Sequence, residues 1–248
     1  MTRKRKQQPR EEVAVERPWG QVGSPTEDDG ASFPDFLEEA IRLCEDDFRR
    51  DAETLDKVID LLQPTIYDAV RLCAVIEFLK TAAPFAQEQS YRRRLEEFRA
   101  WAENDGDTVL CLDYYVYRGQ LARTHGHAEE LKQTCEEFRL ALARAVGSGE
   151  LPPQARKAFE IDYQSLCVMS SKLEGNKNRQ QVDRLLGMLP VAEQLPDPHV
   201  LLRACHALLT TANDSDDCWL TPQEIQRVSS LMLQLFRPTS DQSPPEPS

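Results

Sequence analysis

The chain has 248 residues, 40% of them hydrophobic and 29% charged, with a net charge of −12. Those proportions suffice for a buried core in one large or two small domains, while the acidity disfavours phosphate-backbone binding by that core. No stretch combines the length and apolar purity of a membrane-spanning helix, and no apolar run follows the basic N-terminus as it would in a signal peptide.

Residues 1–31 are polar, carry Pro9, Pro18 and Pro25, and show no periodicity, which predicts a disordered N-terminal tail. Residues 1–32 hold six basic and six acidic side chains, so the whole charge deficit falls in 33–248. Arg3, Lys4, Arg5 and Lys6 form a compact basic cluster, a candidate nuclear-localisation signal. Trp19 stands alone in the same segment.

The predicted all-helical domain covers 32–237. Ser32 to Asp35 has capping spacing with Pro34 in the first turn, and Phe33, Phe36, Leu37, Ala40, Ile41, Cys44 and Phe48 follow helical periodicity. Leu55, Val58, Ile59 and Leu62 mark a second helix. The stretch 65–83 is apolar on every side and is expected to be the central helix, covered all round by others. A long amphipathic helix follows Pro84, with Tyr91, Leu95, Phe98 and Trp101 as its seam. Its triplet Arg92-Arg93-Arg94 precedes Glu96 and Glu97 and reads as a solvated, self-paired face rather than a phosphate site.

After the turn at Asn104–Asp107, one helix carries Val109, Leu112, Tyr115, Val116, Gly119 and Ala122, and Gly126 is predicted to close it in the left-handed conformation. The next uses Leu131, Cys135, Phe138, Leu142 and Ala145. Gly119 and Gly126, seven apart around this helix–turn–helix, resemble a single tetratricopeptide unit over Leu112–Ala145. The second helix departs from that pattern at Leu131, Cys135 and Phe138, and no second copy is visible, so the resemblance implies helical hairpins rather than membership. Residues 147–153, with Gly147, Gly149, Pro152 and Pro153, are the clearest linker and a place where the domain could subdivide. Further helices are predicted over 154–173, over 182–189 with Pro190 as a stop, from Pro198 behind an Asp197 cap, and from a Thr221–Glu224 capping box onward. The tail 238–248 is Ser/Pro-rich and is expected to be disordered. The fold expected is all-α, an irregular helical bundle or a stack of helical hairpins, about nine to ten helices in all.

Chemistry is sparse. Seven cysteines, Cys44, Cys73, Cys111, Cys135, Cys167, Cys205 and Cys218, form an odd set without C-x-x-C spacing. Four of them, Cys44, Cys73, Cys135 and Cys205, lie on apolar stripes, as reduced thiols packed as small hydrophobes do. Residues 213–224 have the length of an EF-hand loop with Glu224 in the last place, but Asn213 and Cys218 stand where Asp and Gly belong, which favours a plain interhelix loop. His125, His127, His199, Cys205 and His206 are poorly spaced for zinc. The chain has no G-x-S-x-G, P-loop or G-x-G-x-x-G, and the pairs Glu38-Glu39 and Glu136-Glu137 diverge on their helices.

The function expected is a non-enzymatic helical scaffold or adaptor for protein partners in a nuclear or cytosolic complex, with no cofactor, no metal and no membrane. One alternative is a regulatory subunit of a nucleic-acid-associated complex serving transcription, repair or chromosome maintenance. Another is an enzyme whose site is assembled from distant residues. Nuclear location is expected, with the cytoplasm as the alternative.

Overall fold

The computed structural model describes residues 49–62, 68–212 and 219–235. All lie in the second of the two units into which the chain divides, Glu45–Ser248. The expectations for both tails, the basic cluster Arg3–Lys6, the helix at 33–48 and the first half of the EF-hand-like loop fall outside the described residues.

The described residues are all-α. A helical stretch over 49–61 (α1) is followed by α2 Asp68–Thr81, α3 Glu88–Asp105, α4 Thr108–Thr124, α5 Ala128–Ser148, α6 Pro153–Leu173, α7 Arg179–Ala192, α8 Pro198–Thr210 and α9 Pro222–Leu235. Short-range chemistry sets their ends. The Asp107 carboxylate accepts from Val109 N at 2.7 Å and Leu110 N at 3.2 Å, and Asp197 accepts from His199 N at 3.0 Å. Proline opens α6, α8 and α9, where a missing N–H costs nothing. Gly126 stands at φ +71° just beyond α4, as its position predicts. Thr221 and Glu224 form the predicted capping box, with Thr221 N donating to Glu224 Oε2 at 2.7 Å and Glu224 N to Thr221 Oγ1 at 3.3 Å. Pro190 does not stop α7. It sits in the last turn, where few hydrogen bonds remain to be lost, and the helix runs on to Ala192.

Consecutive helices pack on one another as hairpins, and α4, α6 and α8 pack side by side between them. The expectation that 65–83 is the central helix is overturned. Val70 of α2 is 55% exposed, Cys73 is exposed, and the helix packs chiefly on α3. The centre belongs to α6, which touches α4, α5, α7 and α8 and buries eleven of its residues. Five of those eleven, Asp162, Gln164, Ser165, Ser170 and Ser171, are polar, so the helix does not read as apolar all round. Short serine side chains let neighbours approach, and Ser165 Oγ satisfies itself on Ile161 O at 2.9 Å.

Two hydrophobic clusters share α4. One side of it, with Tyr114, Tyr117 and Leu121, joins α1–α3. The other, with Leu112, Val116 and Ala122, joins a cluster that continues to Val228 of α9. Residues on both sides of the 147–153 linker lie in this second cluster. Phe138 is its hub: it stacks on Tyr115 at 5.8 Å and meets Phe159 and Tyr163 edge-on at 6.2 and 5.9 Å.

The arginine triplet of α3 is a solvated, paired face only at Arg92 and Arg93; Arg94 turns inward. The Arg94 side chain is 1% exposed and donates to Asp56 at 2.7 Å, Asp60 at 2.6 Å and Glu97 at 3.1 Å. Arg93 reaches the same two aspartates, and Arg92 takes Glu88 and both oxygens of Glu130. Glu97 also receives Arg71 of α2, which caps the end of α1 through the carbonyls of Ile59 and Leu62. Within this network the buried Arg94 and Arg71 each meet an opposite charge, as desolvation requires.

Candidate functional site

The histidine and cysteine candidates are dispersed. His125 and His127 flank the α4–α5 turn with rings 6.1 Å apart, and His127 Nε2 lies 3.1 Å from Glu88 Oε1. Cys205 is buried and His206, beside it on α8, is exposed. Among the described residues no three His, Cys, Asp or Glu side chains are grouped to hold a metal ion. Glu224 is held by Arg179 and by the Thr221 cap, which together push its carboxyl down to about 2. Glu137 accepts from Arg118 at 2.6 Å and Gln133 at 2.7 Å.

A groove of about 550 Å³ lies between α3 and α5, floored by α4. Sequence order explains the layout: α4 is flanked by its neighbours in the chain and sinks between them, leaving one face uncovered. Tyr114, Tyr115 and Arg118 form the floor, Glu96, Arg99 and Glu103 one wall, and Glu130, Gln133, Glu137 and Arg144 the other. A second recess of about 370 Å³ continues it, sharing Cys111, Ala141 and Arg144 and ending at Ser148 and Glu150. The two run along α5 from Glu130 to Ser148, a length of about 27 Å at 1.5 Å per residue.

The walls carry both signs of charge. Arg99 pairs with Glu103 at 2.8 Å and lies 5.5 Å from the centre of the Tyr114 ring. Arg118 is shared between Glu137 and Glu130. These pairs are partly open to water and can be exchanged for pairs with a ligand at small cost. The surroundings of Cys111 favour its thiol over the thiolate. Burial pushes its thiol up, the carboxylates of Asp107 and Glu103 add to that, and Sγ is 3.5 Å from Ala102 O. Across α5 and α6, Cys135 and Cys167 are core neighbours, and the Cys167 thiol together with burial holds the Cys135 thiol up.

A second electrostatic cluster lies where α4, α6 and α8 meet. Arg203 donates from Nε and Nη2 to the two oxygens of buried Asp162, at 2.7 and 2.8 Å. Asp113 faces the same region. Burial, and then the Asp162 charge, push its carboxyl up to about 7. Arg123 lies beyond, its Nη1 2.6 Å from His206 Nδ1.

Sequence reasoning placed Tyr115 on an apolar seam and passed over Tyr114 and Arg118. The available signal was the run Tyr114-Tyr115-Val116-Tyr117-Arg118, which holds more aromatic side chains than one buried stripe takes up. No family model, no curated protein and no solved structure matches the chain, so its function has to be argued from this geometry.

Proposed function

We propose that the protein is a non-enzymatic helical adaptor that holds a segment of a partner protein in the groove between α3 and α5. The observation that carries this reading is the shape of the groove. An open trough of about 27 Å is long for a compact metabolite and matches an extended or helical stretch of chain. Its floor offers tyrosines, which give large contact area at low entropic cost, and its rim offers charges of both signs for orientation. The overall charge of −12 supports a protein partner over nucleic acid. The basic cluster Arg3–Lys6 supports a nuclear location for the complex.

The experiment fills the groove. Ala141 lines both recesses and is half-buried, so Ala141→Trp occupies the trough with little disturbance beneath it. Proteins co-purifying with the wild-type chain should be lost from the variant while its helical circular dichroism is kept. Full retention of every partner by a folded variant overturns the reading.

A further inference from the structure

Arg123, which is partly buried, differs from the two arginines most enclosed by their partners. Arg94 meets three carboxylates and Arg203 meets Asp162 through a two-toothed fork. Arg123 presents the same fork with no acidic group in it. Its Nε is buried and has no hydrogen-bond partner. Its hydrogen bond from Nη1 goes to His206, whose ring accepts through Nδ1 and is therefore neutral. Partial burial of the ring and, after it, the adjacent Arg123 charge push it down to about 4. Asp162, which lines the same small cavity as Arg123, is already taken up by both arms of Arg203. The phenol of Tyr91, whose charge would otherwise favour Arg123, is neutral and donates to Leu79 O at 2.6 Å.

A buried guanidinium N–H without an acceptor is a destabilising feature unless a ligand supplies one. We propose that Arg123 is the receptor for one oxyanion group of a ligand, a carboxylate or a phosphate, held between α4 and α8. Planar oxyanions match the free Nε/Nη2 fork in geometry and charge. The cavity that Arg123 lines beside Gln120 and Asp162 has about 20 Å³, room for a single water, so the ligand does not lie inside it. It approaches from the His206 side, where the imidazole is exposed and can swing away. The site lies on a different face from the α3–α5 groove and does not depend on it.

The test is a titration of the full chain, labelled with nitrogen-15, using inorganic phosphate in one arm and sodium acetate in the other, at constant ionic strength set with chloride. The Arg123 Nε–Hε signal is identified by its absence from Arg123→Lys, and the His206 ring signal by its absence from His206→Gln. In the wild type both signals should move together and saturate, half-way at about 1–10 mM, the range of a few hydrogen bonds to one ion. Saturation by phosphate alone identifies a phosphoryl ligand, and saturation by acetate a carboxylate. Movement that never saturates in either arm, or that is equally large at Arg99 and Arg156, overturns the proposal. The His206 signal decides the matter even if Arg123→Lys does not fold.

Discussion

Gly119 of α4 lies directly beneath Leu166 of α6: a Cβ at this glycine would stand 2.6 Å from Leu166 Cδ1 and 3.2 Å from its Cγ. The absence of a side chain sets how closely the two helices approach, and with it the stacking of one hairpin on the next. Gly119→Val should destabilise the protein by about 2–3 kcal/mol, because the branched side chain must displace Leu166 within a filled core. Gly187 is also helical but has open space around its Cα, so Gly187→Ala should stabilise by about 0.5–1 kcal/mol through helix propensity. Urea unfolding of the two variants checks the contrast, and equal effects would contradict it.

Arg94 and Arg93 are neighbours in sequence with opposite roles. Arg94 is buried among Asp56, Asp60 and Glu97, whereas the Arg93 side chain is 52% exposed. Arg94→Ala strands carboxylates in a poorly hydrated place and should cost roughly 3 kcal/mol. Arg93→Ala should cost under about 0.5 kcal/mol. Thermal midpoints separate the two, and a similar loss for both would show that the network is not buried in solution.

How much of this was legible in the sequence differs by level. The helices and several of their ends were, because Asp197, Thr221 and Gly126 act on residues close by in the chain, although Pro190 did not end α7. Which helix is central was not. An all-round apolar stretch at α2 suggested a core, yet burial depends on neighbours, and α6 reached the centre through serines and the paired Asp162. Arg94 looked solvated because its partners Asp56 and Asp60 belong to another helix. The groove draws on three helices, so only the local crowding of tyrosines hinted at it.

Asp113 links the fold to pH. Its folded-state pKa, about 7, stands above the ordinary aspartate value because burial disfavours the charged form. The native state therefore binds the proton more tightly than the unfolded chain. The stability associated with the protonated form is fully present below about pH 4 and is lost as pH rises through about 7. Asp113→Asn cannot ionise and should raise stability by about 2 kcal/mol at pH 8, and by less at pH 5. Thermal unfolding at the two values checks the sign. A gain independent of pH, or a loss at pH 8, would contradict the assignment.

The basic cluster Arg3-Lys4-Arg5-Lys6 predicts active nuclear entry. At 28.3 kDa the chain is small enough to diffuse through pores, so it must be fused to a large fluorescent carrier before its location means anything. The fusion should concentrate in the nucleus, and the version with four alanines should not. Equal accumulation of both rules out the signal.

The adaptor reading is tested most directly by a photo-crosslinking side chain placed at two exposed glutamines. Gln133 stands on the groove wall, and Gln180 lies on α7, outside the groove lining. In living cells the probe at Gln133 should yield discrete protein adducts that disappear when Ala141→Trp fills the trough, and the probe at Gln180 should yield none that respond to that change. Adducts at Gln133 that persist with the trough filled, or that match those at Gln180, would contradict the claim that the α3–α5 groove holds the partner.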